Sequence, residues 1–214
     1  MSDATSSQTV GPFFHDGLIR VDMPANRLRS TLGQPIRIAG SVLDGDGAAV
    51  PDALIEIWQA NHAGRYNHPA DARTLPYDPT FHGFGRCASA ADGGYSFDTV
   101  LPGAVPFGEV SSQQSEVRMA EAGIDDAQRW QARHICVTIF ARGLLNHLFT
   151  RIYFADDPTL AQDPILQLVP EARRATLMAQ NSGFRIQDSE GSTLRVYRFD
   201  IVLQGVGETV FFNF

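Results

Sequence analysis

Few residues in this sequence are placed to do chemistry. Glu56 lies in Leu54-Ile55-Glu56-Ile57-Trp58, where a strand period of two sets it with Leu54 and Trp58, opposite Ile55 and Ile57. A carboxylate between large apolar neighbours needs a partner, so Glu56 is read as hydrogen-bonded or paired with an arginine, with a catalytic acid as the alternative. His134 and Cys136 share one face of His134 to Ala141, and the other face, Ile135, Val137, Ile139 and Ala141, is wholly aliphatic. Any chemistry in this segment belongs to the first face. Arg142, just beyond, reads by itself as a solvated charge at a turn. Asp44-Gly45-Asp46-Gly47 has the look of a calcium loop, but the position needing the closing carboxylate holds Ile55, so the segment is read as a turn.

The elements that must position these groups read mainly as strands. Ile36–Leu43 and Ala53–Ala60 are rich in β-branched and apolar residues and are expected to form a hairpin about the Asp44–Gly47 turn. Gly85–Ala88 and Tyr95–Val100 are expected to form another about Asp92-Gly93-Gly94. Tyr66 to Gly85, dense in His, Pro, Asp and Gly, reads as a long loop. Val110 to Trp130 is polar and reads as a surface insertion with one or two helical turns. After Leu148–Phe154 the chain looks irregular, and Pro170–Gln180 reads as the one short helix. Leu194–Leu203 alternates with Tyr197, Phe199, Ile201 and Leu203 on one side, and Val210–Phe214 is a short apolar end. Strands separated by turns, with little helix, indicate a mostly β fold, an antiparallel β-sandwich over residues 35–214. Residues 1–34 read as an N-terminal arm anchored by Phe13 and Phe14, docking on its own domain or across a subunit interface.

The 214 residues carry 17 Lys and Arg against 24 Asp and Glu, a formal charge of -7, without a basic run to track phosphates or anionic lipid. Neither nucleic acid nor a membrane is an expected partner. The first residues lack the charged and apolar regions of a signal peptide, so a cytoplasmic location is expected. Cys87 and Cys136 are not spaced as a metal or disulfide motif and are expected to be reduced and buried.

Gly40, Asp44, Gly47 and Pro51, followed by Glu56-Ile57-Trp58-Gln59-Ala60, Gly64 and Tyr66, resemble the signature segment of the intradiol ring-cleavage dioxygenases, non-haem ferric enzymes that open catechols. Some members of that family are αβ pairs in which both chains have the fold and one carries iron. Ser7-Gln8-Thr9, Gly11-Pro12, Phe140-Ala141-Arg142-Gly143, Thr150 to Phe154, Tyr197 to Ile201 and Gly207 to Phe212 resemble the iron-free α chain. Departures are Phe13 and Phe14, where such chains usually have Tyr and Val, and the longer Val110–Trp130 segment.

The resemblance implies two tyrosinate and two histidine ligands for Fe(3+) in catalytic members. In this sequence the corresponding positions are Arg73, Val105 (in Ala104-Val105-Pro106), His134 and Cys136, and the supporting arginine is Gln131. A lone imidazole cannot hold the ion, so no metal is expected here, and His134 is read as a satisfied structural residue. Iron is expected on a homologous β subunit in a higher-order αβ oligomer acting on protocatechuate and O2. The resemblance further implies that Thr9, Gly11, Pro12 and Arg142 of this chain line the partner's substrate pocket, where Arg142 would help to position a carboxylate. Two alternatives are a catalytically dead sandwich that binds an aromatic ligand or scaffolds a complex, and a self-sufficient metalloenzyme rebuilt from Tyr77 with His62, His68, His82 or His147.

Overall fold

The computed structural model describes residues 9–11, 17–19, 26–107 and 130–213. Its strands are β1 (Pro35–Leu43), β2 (Leu54–Trp58), β3 (Phe84–Ala88), β4 (Gly94–Val100), β5 (Val105–Pro106), β6 (Trp130–Gln131), β7 (His134–Phe140), β8 (Leu148–Phe154), β9 (Met178–Gln187), β10 (Thr193–Arg198) and β11 (Ile201–Val202). Two short helices, α1 (Pro164–Gln167) and α2 (Glu171–Arg174), lie between β8 and β9. The strands form one nearly closed path, β11-β1-β10-β9-β8-β7-β2-β3, with β4 on the other side of β1 and β5-β6 as a separate pair. Most neighbours are antiparallel, but β1 runs parallel to β10 and β11, and β8 parallel to β9, so the sheet is mixed where a purely antiparallel one was expected.

Alternation builds the core. Ile36, Ile38 and Phe97 from β1 and β4 meet Ile55, Ile57, Ile135 and Ile139 from β2 and β7, all essentially inaccessible. The aliphatic face expected of His134 to Ala141 is therefore the inward face. A smaller cluster joins Tyr153, Leu166, Val169 and Leu177 around the buried Asp163. The Asp163 carboxylate caps α1 through Leu166 N (2.6 Å), and accepts from Ala132 N (2.8 Å) and from the Tyr153 hydroxyl (3.1 Å). It thereby fixes the entry to β7.

Both expected hairpins are corrected. The turn after β1 closes, with the Asp44 carboxylate accepting from Asp46 N and Ala48 N, but β1 pairs with β4 and β2 pairs with β3 and β7. Pro51 cannot donate to a continuing ladder, and Asp52 with φ 61° turns the chain away. The connection from β3 to β4 crosses alongside it. Ser89 ties the two, its hydroxyl donating to Val50 O (2.7 Å) and accepting from Ala53 N (2.9 Å).

The expected helix Pro170–Gln180 is also shorter. It tightens into a 3-10 turn over Ala175–Leu177, and Met178 and Ala179 pair with Tyr153 and Phe154 at the start of β9. The stretch expected to be irregular holds a 3-10 turn, Leu160–Gln162, and α1. The expected last strand breaks at Phe199 and Asp200 into β10 and β11, with Tyr197, Phe199 and Ile201 buried as the alternation requires. Most of the Val110–Trp130 insertion, and Phe13 and Phe14, lie outside the described residues. Part of the arm segment belongs to the core: Leu28 is buried and donates its N–H to Asp98 O, and Ser30 and Thr31 bind the Asp78 carboxylate. Among the described residues no helix is long and apolar enough to cross a membrane.

Candidate functional site

A recess of about 880 Å³ opens over the outer face of β2, β7 and β8. Its floor is one row across three strands, since the registers set Trp58 beside Cys136 and Cys136 beside Arg151. Tyr66 stacks on Trp58 with ring centroids 5.7 Å apart. The loop beyond Tyr66 closes one side, and Val105, Pro106, Gln131 and His134 line others.

The loop is held by a chain of bonds. The Asn61 side chain accepts from Ala63 N and Arg65 N, and Gly64, at φ +78°, brings its backbone against Ala104. The Gly64 carbonyl accepts from Arg73 Nη2 (2.7 Å), while Asp71 accepts from Arg73 Nε (2.7 Å) and Tyr66 N (2.8 Å). The Arg73 guanidinium holds the Asp71 carboxyl below the usual carboxylate range. Arg73 and Val105 thereby reach the same recess from separate loops.

All four positions that the resemblance sets against the iron ligands, Arg73, Val105, His134 and Cys136, line this cavity, and so does Gln131. The structure brings them together, but their chemistry does not suit a ferric ion. Arg73 is a cation, Val105 has no donor atom, and burial raises the Cys136 thiol away from the thiolate form. His134 donates Nδ1–H to Ala132 O (2.8 Å), and burial, reinforced by Arg151, pushes its pKa down to about 3. It is the satisfied imidazole expected from the sequence. Among the described residues no group of three His, Cys, Asp or Glu could hold a metal.

The rebuilt metal site is not assembled either. Tyr77 donates to Asn67 and lies under the Arg65 guanidinium, His82 contacts Asn67, and His147 packs edge-on against Phe149. Of those histidines His68 alone lines the cavity. Glu56 pairs with Arg86 across β2 and β3 (Nε to Oε1 2.8 Å), the structural alternative weighed for it. Cys87 is buried, with its thiol pushed up to about 12, whereas Cys136 is partly open to the cavity rather than fully buried as expected.

Thr9 and Arg142 lie together elsewhere. Thr9 Oγ1 accepts from Gly143 N (2.8 Å), Gly11 is exposed, and Arg142 pairs with Asp52 (3.0 Å) at 57% side-chain exposure. Pro12 lies outside the described residues. This patch follows the end of β7 opposite to His134, roughly 20 Å away at strand rise. Arg142 is therefore remote from this chain's own cavity.

Arg151 and the Trp58–Tyr66 pair are the site residues that sequence reasoning missed. A signal was present: once β7 and β8 are set antiparallel, a residue opposite Cys136 must share its face.

Comparison with known proteins supplies the remaining observation. A family model described as Dioxygenase matches residues 10–205. The chain is 37% identical over 199 residues to the protocatechuate 3,4-dioxygenase beta chain of Burkholderia cepacia, covering 93% of this chain and 75% of that one. It is also 37% identical over 221 residues to the protocatechuate 3,4-dioxygenase alpha chain of Burkholderia cepacia, covering 98% and 96%. Among solved structures, hydroxyquinol 1,2-dioxygenase from Pseudomonas putida DLL-E4 superimposes with a TM-score of 0.63 at 22% identity, over 94% of this chain and 66% of that one. That likeness speaks to fold alone.

Proposed function

Because this chain belongs to the intradiol ring-cleavage dioxygenase family, we propose that it is the iron-free alpha subunit of a protocatechuate 3,4-dioxygenase, paired with a homologous iron-bearing beta chain. Overall identity does not separate the alpha from the beta assignment, since both relatives match equally well. The observation that carries the reading is the donor set of the cavity. Arg73, Val105, His134 and Cys136, the positions that the resemblance sets against the four ligands, offer one neutral imidazole and one partly buried thiol between them. Near-complete coverage of the alpha chain supports the same assignment. The holoenzyme converts protocatechuate and O2 to 3-carboxy-cis,cis-muconate, both oxygen atoms entering the product, with ring opening in the beta chain.

The contribution of this chain is shape and charge. Thr9, Gly11, Pro12 and Arg142 line the partner's substrate pocket in this reading. Supporting it, Thr9 lies beside the turn that carries Arg142, the patch is exposed, and it is too far from this chain's own cavity to serve it. Arg142 uses one Nη atom on Asp52 and keeps other N–H donors for a carboxylate or a bridging water. The fold belongs to the proposal as an antiparallel-type β-sandwich, supported by a core shared between the β1-β4-β10 and β2-β7-β8 parts of the path.

Co-expression tests the assignment. With a homologous beta chain the pair takes up O2 and cleaves protocatechuate, while the chain alone is inactive; ring cleavage by the chain alone contradicts the reading.

A further inference from the structure

We propose that the cavity of this chain is itself a binding site, taking one small aromatic carboxylate. The inference uses this chain's residues alone and stands whether or not the chain pairs with an iron-bearing partner. Its first support is a charge left uncompensated among the described residues. The cavity holds two guanidinium groups, and Arg73 is neutralised by Asp71 at its side. Arg151 has no such partner among the described residues. Its Nη1 donates to the neutral Gln131 Oε1 (2.7 Å) and, more weakly, to the Tyr153 hydroxyl (3.4 Å). The Asp163 carboxylate stands one group further off, bound to Tyr153 and to two backbone N–H groups. A half-buried guanidinium without a counter-charge is costly, and an anion arriving in the cavity relieves that cost.

A second, independent observation concerns hydrogen bonds. Among the described residues, Nε of Arg151 and Nη1 of Arg73 are buried N–H groups without a hydrogen-bond partner. Such groups are rare in folded proteins because each forfeits its bond to water. Both belong to residues lining one cavity, so each guanidinium there has donor capacity that the described residues leave unused and that a carboxylate can draw on.

The aromatic part follows from the floor. Trp58 and Tyr66 stack with their planes nearly parallel, and Val105 and Pro106 add apolar surface to the same lining. A planar ring with one anionic end matches this arrangement of flat apolar wall and guanidinium donors. The site cannot turn its ligand over by the intradiol route, because its residues do not hold a ferric ion; it is a binding site.

The test is calorimetric titration of the full-length chain, without partner, using benzoate, its neutral isostere benzamide, and sulfate. One benzoate binds per chain, benzamide binds at least about tenfold more weakly, and sulfate does not displace benzoate at comparable concentration. Arg151→Gln lowers benzoate affinity by a similar factor. Equal binding of benzoate and benzamide overturns the proposal, as does undiminished binding by folded Arg151→Gln. Displacement by sulfate at equal concentration overturns it too, since the ring would then contribute nothing. The comparison of benzoate with benzamide needs no substitution and decides the matter even if Arg151→Gln does not fold.

Discussion

His134 is a histidine whose protonation costs the folded chain stability. In an unfolded chain its imidazole takes a proton below about pH 6.5; in the folded chain, buried beside Arg151, it does so only near a pKa of about 3. Between those values the unfolded state binds more protons, so stability is full above about pH 6.5 and is lost as pH falls towards the folded value. By pH 4 the loss from this residue is roughly 3 kcal/mol. Urea unfolding midpoints should fall over that range in the parent chain, and His134→Phe should flatten the decline; an equal slope in both would remove this account of His134. Arg142 makes the opposite case. Its exposed ion pair with Asp52 contributes little to folding, so Arg142→Ala should shift unfolding by less than about 1 kcal/mol. In the αβ complex the same substitution should weaken protocatechuate use about tenfold or more and leave the visible colour of the partner's iron unchanged. Loss of bound iron in that variant counts against a substrate-positioning role.

At the scale of elements, local chemistry told more than pairing did. Alternation correctly set Ile55 with Ile57 on one face of β2 and Ile135 with Ile139 on one face of β7, because a period of two depends only on the strand itself, and the structure turns both faces inward. The turns after β1 and β3 were legible for the same reason. Which strands pair was not, since Pro51, Asp52 and Ser89 redirect two connections that run side by side, a contact between distant segments. Likewise Met178 to Gln180 have helical company before them but find β8 and β10 as neighbours. The loop wall of the cavity depends on another such contact. A Cβ on Gly64 would stand 1.9 Å from Ala104 O, at a φ of +78° that L residues avoid. Gly64→Ala should therefore destabilise the chain by about 2 kcal/mol or more and displace the loop that carries Arg73. Thermal unfolding reads the first effect, and unchanged stability would mean that the Gly64–Ala104 approach is dispensable.

For the whole molecule, the four ligand positions were legible as a set because the family resemblance aligned them, and the structure adds that they enclose a real cavity. Arg151 was not legible, because its place depends on the register between β7 and β8. The cavity offers no donor set that suits a ferric ion, and Thr9 and Arg142 are exposed at a distant surface, a division that fits the proposal of a chain serving a partner's chemistry. Iron content and visible absorption, measured on this chain purified alone and again after co-expression with a beta chain, test that division most directly. The account predicts a colourless, iron-free chain that becomes part of a coloured complex able to cleave protocatechuate. A chain that is coloured and active by itself would contradict it.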